Sequence, residues 1–296
     1  RAQLAKELEP GLNALFGLEY ARYENEAAQI FEQESSDRAF EEEVMLVGFG
    51  QANVKAEGSA VGFDTASESF TARYVHDTIA LAFALTEEAV EDNLYDSLSA
   101  RYTKALARSM AYTKQVRGAN VLNDAFVTAG GDGVSLINVA HPTSLGGNFS
   151  NRSATDADLN ETSLEQAMID IAGFIDERGL KIAMKGNKLI LPVNLQFIAD
   201  RILESTLRVG TADNDINALK NMGMLPGGYT VNHYLTDTDA WFIKTDCPNG
   251  FKHFVRAALA TGMEGDFDTG NMRYKARERY SFGYSDPRAA YGSAGS

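Results

Sequence analysis

Apolar residues recur at every second position over three stretches of the chain and at every third or fourth over three others, which predicts a mixed architecture of strands and helices. Met45, Val47 and Phe49 share one face, and Ile79, Leu81, Phe83 and Leu85 alternate with Ala80, Ala82 and Ala84, as strands do. Between them GQANVKAEGSAVGFDTASESF is polar, spaced by Gly50, Gly58 and Gly62, and too poor in large side chains to order a core of its own. The region from Glu43 to Leu85 therefore reads as a long two-stranded excursion that projects from the body and needs a neighbour to hold it. Near the end, Tyr274, Ala276, Glu278, Tyr280, Phe282 and Tyr284 alternate with Arg273, Lys275, Arg277 and Arg279. That strand has one largely aromatic face and one strongly basic face.

Thr86 followed by Glu87 and Glu88 is a helix start, a capping hydroxyl with carboxylates at the positive end of the dipole. Val90, Leu94, Leu98 and Tyr102, continued by Ala105, Leu106, Ser109 and Val116, extend this helix to about Gly118 or further, before the glycines at 130, 131 and 133. A second helix opens on Thr162, Ser163, Leu164 and Glu165 as a capping box, carries Leu164, Met168, Ile171 and Ile175 on one stripe, and stops at Gly179. A third follows Pro192 and Asn194, with Leu195, Ile198, Ile202 and Leu203 inward. Lys188 to Leu191, Tyr229 to Leu235, Trp241 to Lys244 and His253 to Arg256 are short strands, separated by turn chemistry at TADNDINAL and MGMLPGGY. The first 42 residues show no sustained period and read equally as an extended arm lying on something else or as a solvated acidic leader.

At 296 residues and 44% hydrophobic, the chain is long enough to bury a substantial core without cross-links. Its 27 basic and 41 acidic residues leave a net charge of −14, which disfavours a nucleic-acid binder. The charge is uneven: residues 1–43 carry eleven acids against four bases. By contrast, the 86–118 helix carries Arg101, Lys104, Arg108, Lys114 and Arg117 with no acid between Ser97 and Asn123. No apolar run is long enough to span a bilayer, and no leader of secretory type follows the first residue, so a membrane or secreted protein is not expected. Lone Cys247 closes no internal disulfide and fits synthesis in a reducing cytosol.

Catalytic chemistry is hard to find. His76, His141, His233 and His253 are scattered without metal-ligand spacing; HExxH, GxSxG and the GxxxxGK[ST] loop are absent. GFGQAN at Gly48 lacks the third glycine of a dinucleotide fingerprint and lies in a strand pattern. Asp213, Asp215 and Asn217 alternate like a calcium loop, but Ala218 and Met224 occupy the glycine and glutamate positions, so a loop cap is the better reading. The sequons at Asn148, Asn151 and Asn160 lack a secretory context. His141, before Pro142, reads as a turn histidine with nothing nearby to orient it, and Trp241 as an interface or core anchor. No catalytic, cofactor-binding or metal-binding residue is assigned. What remains is an assembly signature, in which acidic arms and projecting excursions would lie over basic spines of other copies, steered by complementary charge; the other reading is a monomer whose arm folds back on its own basic helix.

The order of segments is familiar. Acidic arm, β-excursion, ARYTKALARSMAYTKQVRGANVLNDAF, GGDGVSLINVAHP, KLILPVNLQFIADRIL, TADNDIN, YLTDTDAWFI and RYSFGYSDPRAAYGS together resemble major capsid proteins of tailed bacteriophages, with the nearest likeness to the Mu-like major head subunit group. The resemblance covers nearly the whole chain. It implies the Hong Kong 97-type α+β capsid fold: an N-terminal arm over residues 1–42, an extended loop over 43–78 and a peripheral domain with a long spine helix over 79–131. Most of 132–267 would form an axial domain, and a final strand within 268–296 would return to the peripheral domain. It further implies self-association into hexamers and pentamers of an icosahedral shell enclosing double-stranded DNA, made in the host bacterial cytoplasm and found in the virion. Portal, scaffold or protease and decoration proteins would be further partners. Arg1 in place of Met fits the maturation cleavage of many relatives and fits trimming equally well. Some relatives cross-link through lysine; Lys55, near the tip of the excursion, reads instead as a solvated tip charge. The expected assembly residues are Lys55, Arg101, Lys104, Arg108, Arg273, Lys275, Arg277 and Arg279. Two other readings stay open, an encapsulin-type nanocompartment shell and a soluble cytosolic enzyme with an unrecognised site.

Overall fold

The computed structural model describes residues 2–91, 95–208, 215–266 and 270–296. The chain runs α1 (Ala2–Arg22), β1 (Glu32–Ser35), β2 (Phe40–Val47), β3 (Ser67–Val75), β4 (Asp77–Leu85), α2 (Glu87–Glu91) and α3 (Tyr95–Asn123). Then follow β5 (His141–Pro142), β6 (Asn148–Phe149), α4 (Glu161–Ala172), β7 (Gly186–Leu191), α5 (Gln196–Glu204) and α6 (Ala218–Met222). The rest is β8 (Tyr229–Val231), β9 (Trp241–Thr245), β10 (Phe251–Gly265), β11 (Met272–Tyr284) and β12 (Ala290–Ser293).

Two four-stranded sheets organise the body. One has the order β1-β10-β11-β4, with β1 parallel to β10 and the other pairs antiparallel. The alternation in β11 sets its orientation: Met272, Tyr274, Ala276, Glu278 and Tyr280 are buried, while Arg273, Lys275 and Arg277 are exposed. The buried face packs on Leu106, Ala107 and Met110 of α3 and on Leu12 and Phe16 of α1. The second sheet, β12-β9-β7-β8, anchors a separate core in which Leu189, Leu191, Trp241, Ile243 and Tyr291 meet Leu164, Met168 and Ile171 of α4 and Ala199 and Ile202 of α5. Between the two, Ile30 and Phe31 join Leu122, Ile137, Phe242 and Phe251 in one cluster.

Several expectations are corrected. The arm is helical through Arg22 and then forms β1, and α1 lies on this chain's own spine helix α3. Leu12, Phe16 and Tyr20 make a stripe every four residues, masked in the sequence by Pro10, Gly11 and Gly17. A proline inside a helix costs about 3 kcal/mol, which burial of Leu12 and Phe16 at about 1.5–3 kcal/mol each can offset. In α3 the buried stripe is Ser99, Thr103, Leu106, Ala107, Met110, Gln115, Ala119 and Leu122, while Tyr102 and Ala105 face outward. Small residues win these positions because the sheet and α1 approach the helix closely. The side chains of Val90 and Leu94 lie outside what is described.

Helix α4 is capped by Asn160, whose side chain accepts from the Ser163 backbone N–H while Ser163 returns a bond, and it closes at Gly173 rather than Gly179. Ile198 is exposed on α5, where Ala199 takes the inward position. Asn217 does cap α6, accepting from Lys220 N; Asp213 lies outside the described residues. The strand expected over His253 to Arg256 is the first part of the 15-residue β10, and the chain ends as β12 in the second sheet, although β11 itself joins the first. No helix among the described residues is long and apolar enough to cross a membrane.

Candidate assembly surfaces

The excursion is a ribbon of β2 and β3, antiparallel from Phe40↔Val75 to Val47↔Ser67, with residues 48–66 at its far end. Phe49, expected to continue the β2 face, lies beyond the strand and is exposed. The expected second strand over Ile79 to Leu85 is β4, a member of the body sheet: Ile79 and Phe83 pack on the α3 side, and Leu81 is 45% exposed.

The root and the shaft of the excursion are tied down by polar contacts. Lys252 of β10, almost fully buried, pairs with Glu34 of β1 at 2.9 Å and with Glu43 of β2. Ser285 also donates to Glu43, and Tyr74 of β3 meets Ser285 at 2.5 Å. Further out, Glu177 accepts from the Ser144 N–H at 3.0 Å and from its hydroxyl at 3.1 Å, and Ser144 meets Ser69 of β3 at 2.8 Å. Glu177 is fixed in turn by Arg288 at 2.9 Å, both side chains nearly inaccessible. Beyond that, Arg178 pairs with Asp64 at 3.2 Å and donates to the Thr65 carbonyl at 2.6 Å. The backbone N–H groups of Gly50 and Thr65, with Arg178 beside them, hold the Asp64 carboxyl below the usual carboxylate range.

Past Asp64 these ties end. Val54 is 101% exposed, Phe63 99%, and Val61 66%, three apolar side chains on one loop left open to solvent among the described residues. Lys55 stands among them, exposed and without an ion pair among the described residues.

The expected basic residues divide. Arg101, Lys104 and Arg108 lie on the outer face of α3, exposed and with no ion pair among the described residues. Lys114 and Arg117, on the same helix, turn to this chain's own acids, Lys114 to buried Glu278 at 3.3 Å and Arg117 to Asp77. On β11, Arg273 pairs with Asp266 at 2.5 Å, Lys275 and Arg277 are free among the described residues, and Arg279 donates to the His76 carbonyl at 3.4 Å. Because the alternate positions of β11 pack toward α3, its basic row and the α3 row lie on opposite faces of the layer. The structure does not bring them together.

No group of three or more His, Cys, Asp or Glu residues among those described is placed to hold a metal ion. Burial, with Asp286 beside it, raises the Cys247 thiol far above its ordinary value, which keeps it protonated and unreactive. His141 corrects the sequence reading. It is fully buried, stacked on Phe149, and oriented by Asp132 at 2.6 Å and Asn151 at 3.1 Å. Asn151 gives its amide hydrogens to the carbonyls of Leu136, Pro287 and Ala290, so this network joins the segment after α3 to the chain end. Its burial identifies it as a structural joint rather than a general base. The ion pairs of Lys252, Glu177 and Arg178 were not readable from the sequence, since their charged partners lie over a hundred residues away. The apolar tip was not singled out either, because Val54, Val61 and Phe63 are diluted in a polar, glycine-spaced segment.

A family model described as phage capsid protein matches residues 69–293. Among solved structures, the chain is similar to the crystal structure of a virus-like particle from Pyrococcus furiosus, at 9% identity and a TM-score of 0.55, over 95% of this chain and 97% of that one. It is similar to the capsid of Myoviridae phage XM1, at 12% identity and a TM-score of 0.56, over 90% and 89% of the two chains. A structure of Mycobacterium phage Che8 matches at 16% identity and a TM-score of 0.55, again over 90% and 89%. No curated protein matches.

Proposed function

The chain belongs to the phage capsid protein family, and on that premise we propose that it is a major head subunit whose copies assemble as hexamers and pentamers of an icosahedral shell around double-stranded DNA. The fold is the Hong Kong 97-type capsid fold. In its terms β2 and β3 are the extended loop, the sheet on α3 belongs to the peripheral domain, and the sheet holding β7 and β9 belongs to the axial domain. The observation that carries the reading is the excursion itself, rooted in the body by ion pairs and ending in Val54, Val61 and Phe63, exposed among the described residues.

The subunit acts mechanically and without catalysis, each contact between copies weak and the closed shell strong by their sum. Since α1 is occupied with its own spine, contact between copies falls to the excursion and to the free bases. Arg101, Lys104 and Arg108, with Lys275 and Arg277, are proposed to meet the acidic surface of adjoining copies. The charge of −14 makes the wall weakly repulsive to DNA, so that packaged DNA is enclosed without being pinned. Portal, scaffold or protease and decoration proteins complete the particle, which is built in the host cytoplasm. Electron microscopy and sizing of the purified protein test this. Closed shells or flat hexamers are expected, and a small soluble oligomer under all assembly conditions overturns the reading. Particles filled with protein cargo and free of DNA in the native source would support a nanocompartment instead.

A further inference from the structure

Arg256 sits where β10 breaks register. Val255 pairs with Tyr280 and Ala257 with Arg279, so two steps along β10 answer one step along β11, and Arg256 is the extra residue of the bulge. A bulge re-aims the side chain it carries. Arg256 is half-buried, makes no hydrogen bond or ion pair among the described residues, and has its Nε closed to solvent without a partner. A cation withdrawn from water and left unsatisfied is costly, so the site is incomplete without an anion.

Arg279 stands beside it. As alternate residues of β11, Arg279 and Ser281 share a face, and the Ser281 hydroxyl lies 3.0 Å from Nδ1 of His76, the residue that joins β3 to β4. Arg279 Nε donates to the His76 carbonyl over a long 3.4 Å, which leaves its two terminal amino groups without a partner among the described residues. Both guanidinium groups act on the buried His76 imidazole: burial first, then Arg279, with Arg256 adding to them, hold it below its ordinary value, and Glu41 opposes. Glu41 accepts from the Ser36 hydroxyl at 2.7 Å and forms no ion pair among the described residues, while Glu34 and Glu43 are committed to Lys252. Two cations therefore face one anion at the foot of the ribbon.

We propose that Arg256 and Arg279 form an oxyanion site at the foot of the excursion, and that its ligand is a compact tetrahedral oxyanion of the phosphate class, held by the terminal amino groups of both guanidinium forks. Each fork presents paired N–H donors that match two oxygens of such an ion, and a dianion balances the two cations. Both arginines are half-buried beside a histidine that is 4% exposed. A free ion fits there, whereas a duplex backbone or a strand of another copy would have to displace the ribbon. Arg277, the next residue on the same face of β11, is exposed and lies outside the site. The inference concerns the single subunit and does not depend on what shell it builds.

Calorimetric titration of the unassembled full chain with inorganic phosphate, at neutral pH and constant ionic strength set by chloride, tests it. One phosphate per chain is expected, half-saturated at or below about 1 mM, with sulfate competing. Arg256→Gln and Arg279→Gln should each weaken binding about tenfold or more, and Arg277→Gln should leave it within about twofold. Glu41→Gln removes the opposing anion and should tighten binding about threefold, which keeps the test open if an arginine variant does not fold. No saturable uptake by the wild type, an equal loss in Arg277→Gln, or weaker binding in Glu41→Gln would each overturn the proposal. A duplex oligonucleotide that displaces the phosphate would assign the site to a nucleic-acid backbone instead. A chain that binds no phosphate but fails to assemble as Arg256→Gln would assign it to a carboxylate of a second copy, and either result overturns the free-ion site.

Discussion

The two ends of the excursion obey different physics. At its root, Glu43 and Tyr74 are bound to Lys252 and Ser285, buried or half-buried groups with partners in their own chain. At its tip, Val54 and Phe63 are fully exposed among the described residues. Charges taken out of water must be paired to be tolerated, whereas exposed apolar groups lower the free energy only when something covers them. The root is therefore complete within one subunit, and the proposed function assigns completion of the tip to another. Substitutions at the root should lower the stability of the isolated chain; substitutions at the tip should leave stability unchanged and remove assembly.

The largest loss is expected where a buried charge is orphaned. Arg288→Met leaves Glu177 unpaired beneath the ribbon and should cost about 3–5 kcal/mol in denaturant unfolding, with the midpoint moving and the slope unchanged. Phe16→Ala should cost about as much, roughly 3–5 kcal/mol, because Phe16 is 2% exposed and seats the arm on the spine. If the arm belonged to a neighbour, the monomer would lose almost nothing.

An intermediate effect belongs to His253, stacked on Phe282 with Nε2 buried and unpartnered, and pushed down by burial, then by Lys114, to about 4. Its contribution is present above pH 6.5 and lost as the pH falls toward 4, at most about 3 kcal/mol. His253→Phe should flatten that part of the stability profile, and an unchanged profile would count against its burial. Arg178→Ala removes a partly exposed pair and should cost under about 1 kcal/mol, yet speed protease cleavage between residues 48 and 66. The smallest effect on stability, within about 0.5 kcal/mol, is expected for the joint change of Val54, Val61 and Phe63 to Ser.

The same division explains what could be read from sequence. The alternation in β11 was legible because one face is buried and the other is wet, whereas the apolar tip was passed over because Val54, Val61 and Phe63 are diluted in a polar, glycine-spaced loop. The family resemblance, from motifs spread over the chain, agrees with the family match, which does not separate the Mu-like group. Helix α1 was missed because Pro10, Gly11 and Gly17 mask a stripe that only packing on α3 makes worthwhile. The α3 stripe was misread because close approach selects Ser99, Thr103, Ala107 and Ala119 over large residues. The basic runs looked uniform, but Lys114, Arg117 and Arg279 are spent on internal partners, and nothing local distinguishes them from Arg101 or Lys275.

The central claim is that the subunit's projecting tip finds its cover only on another copy. Electron microscopy of the wild type beside the Val54, Val61 and Phe63 to Ser variant, at equal concentration and matched stability, puts it to the test. Closed particles from the wild type and dispersed, folded subunits from the variant are predicted; intact shells from the variant would contradict the account.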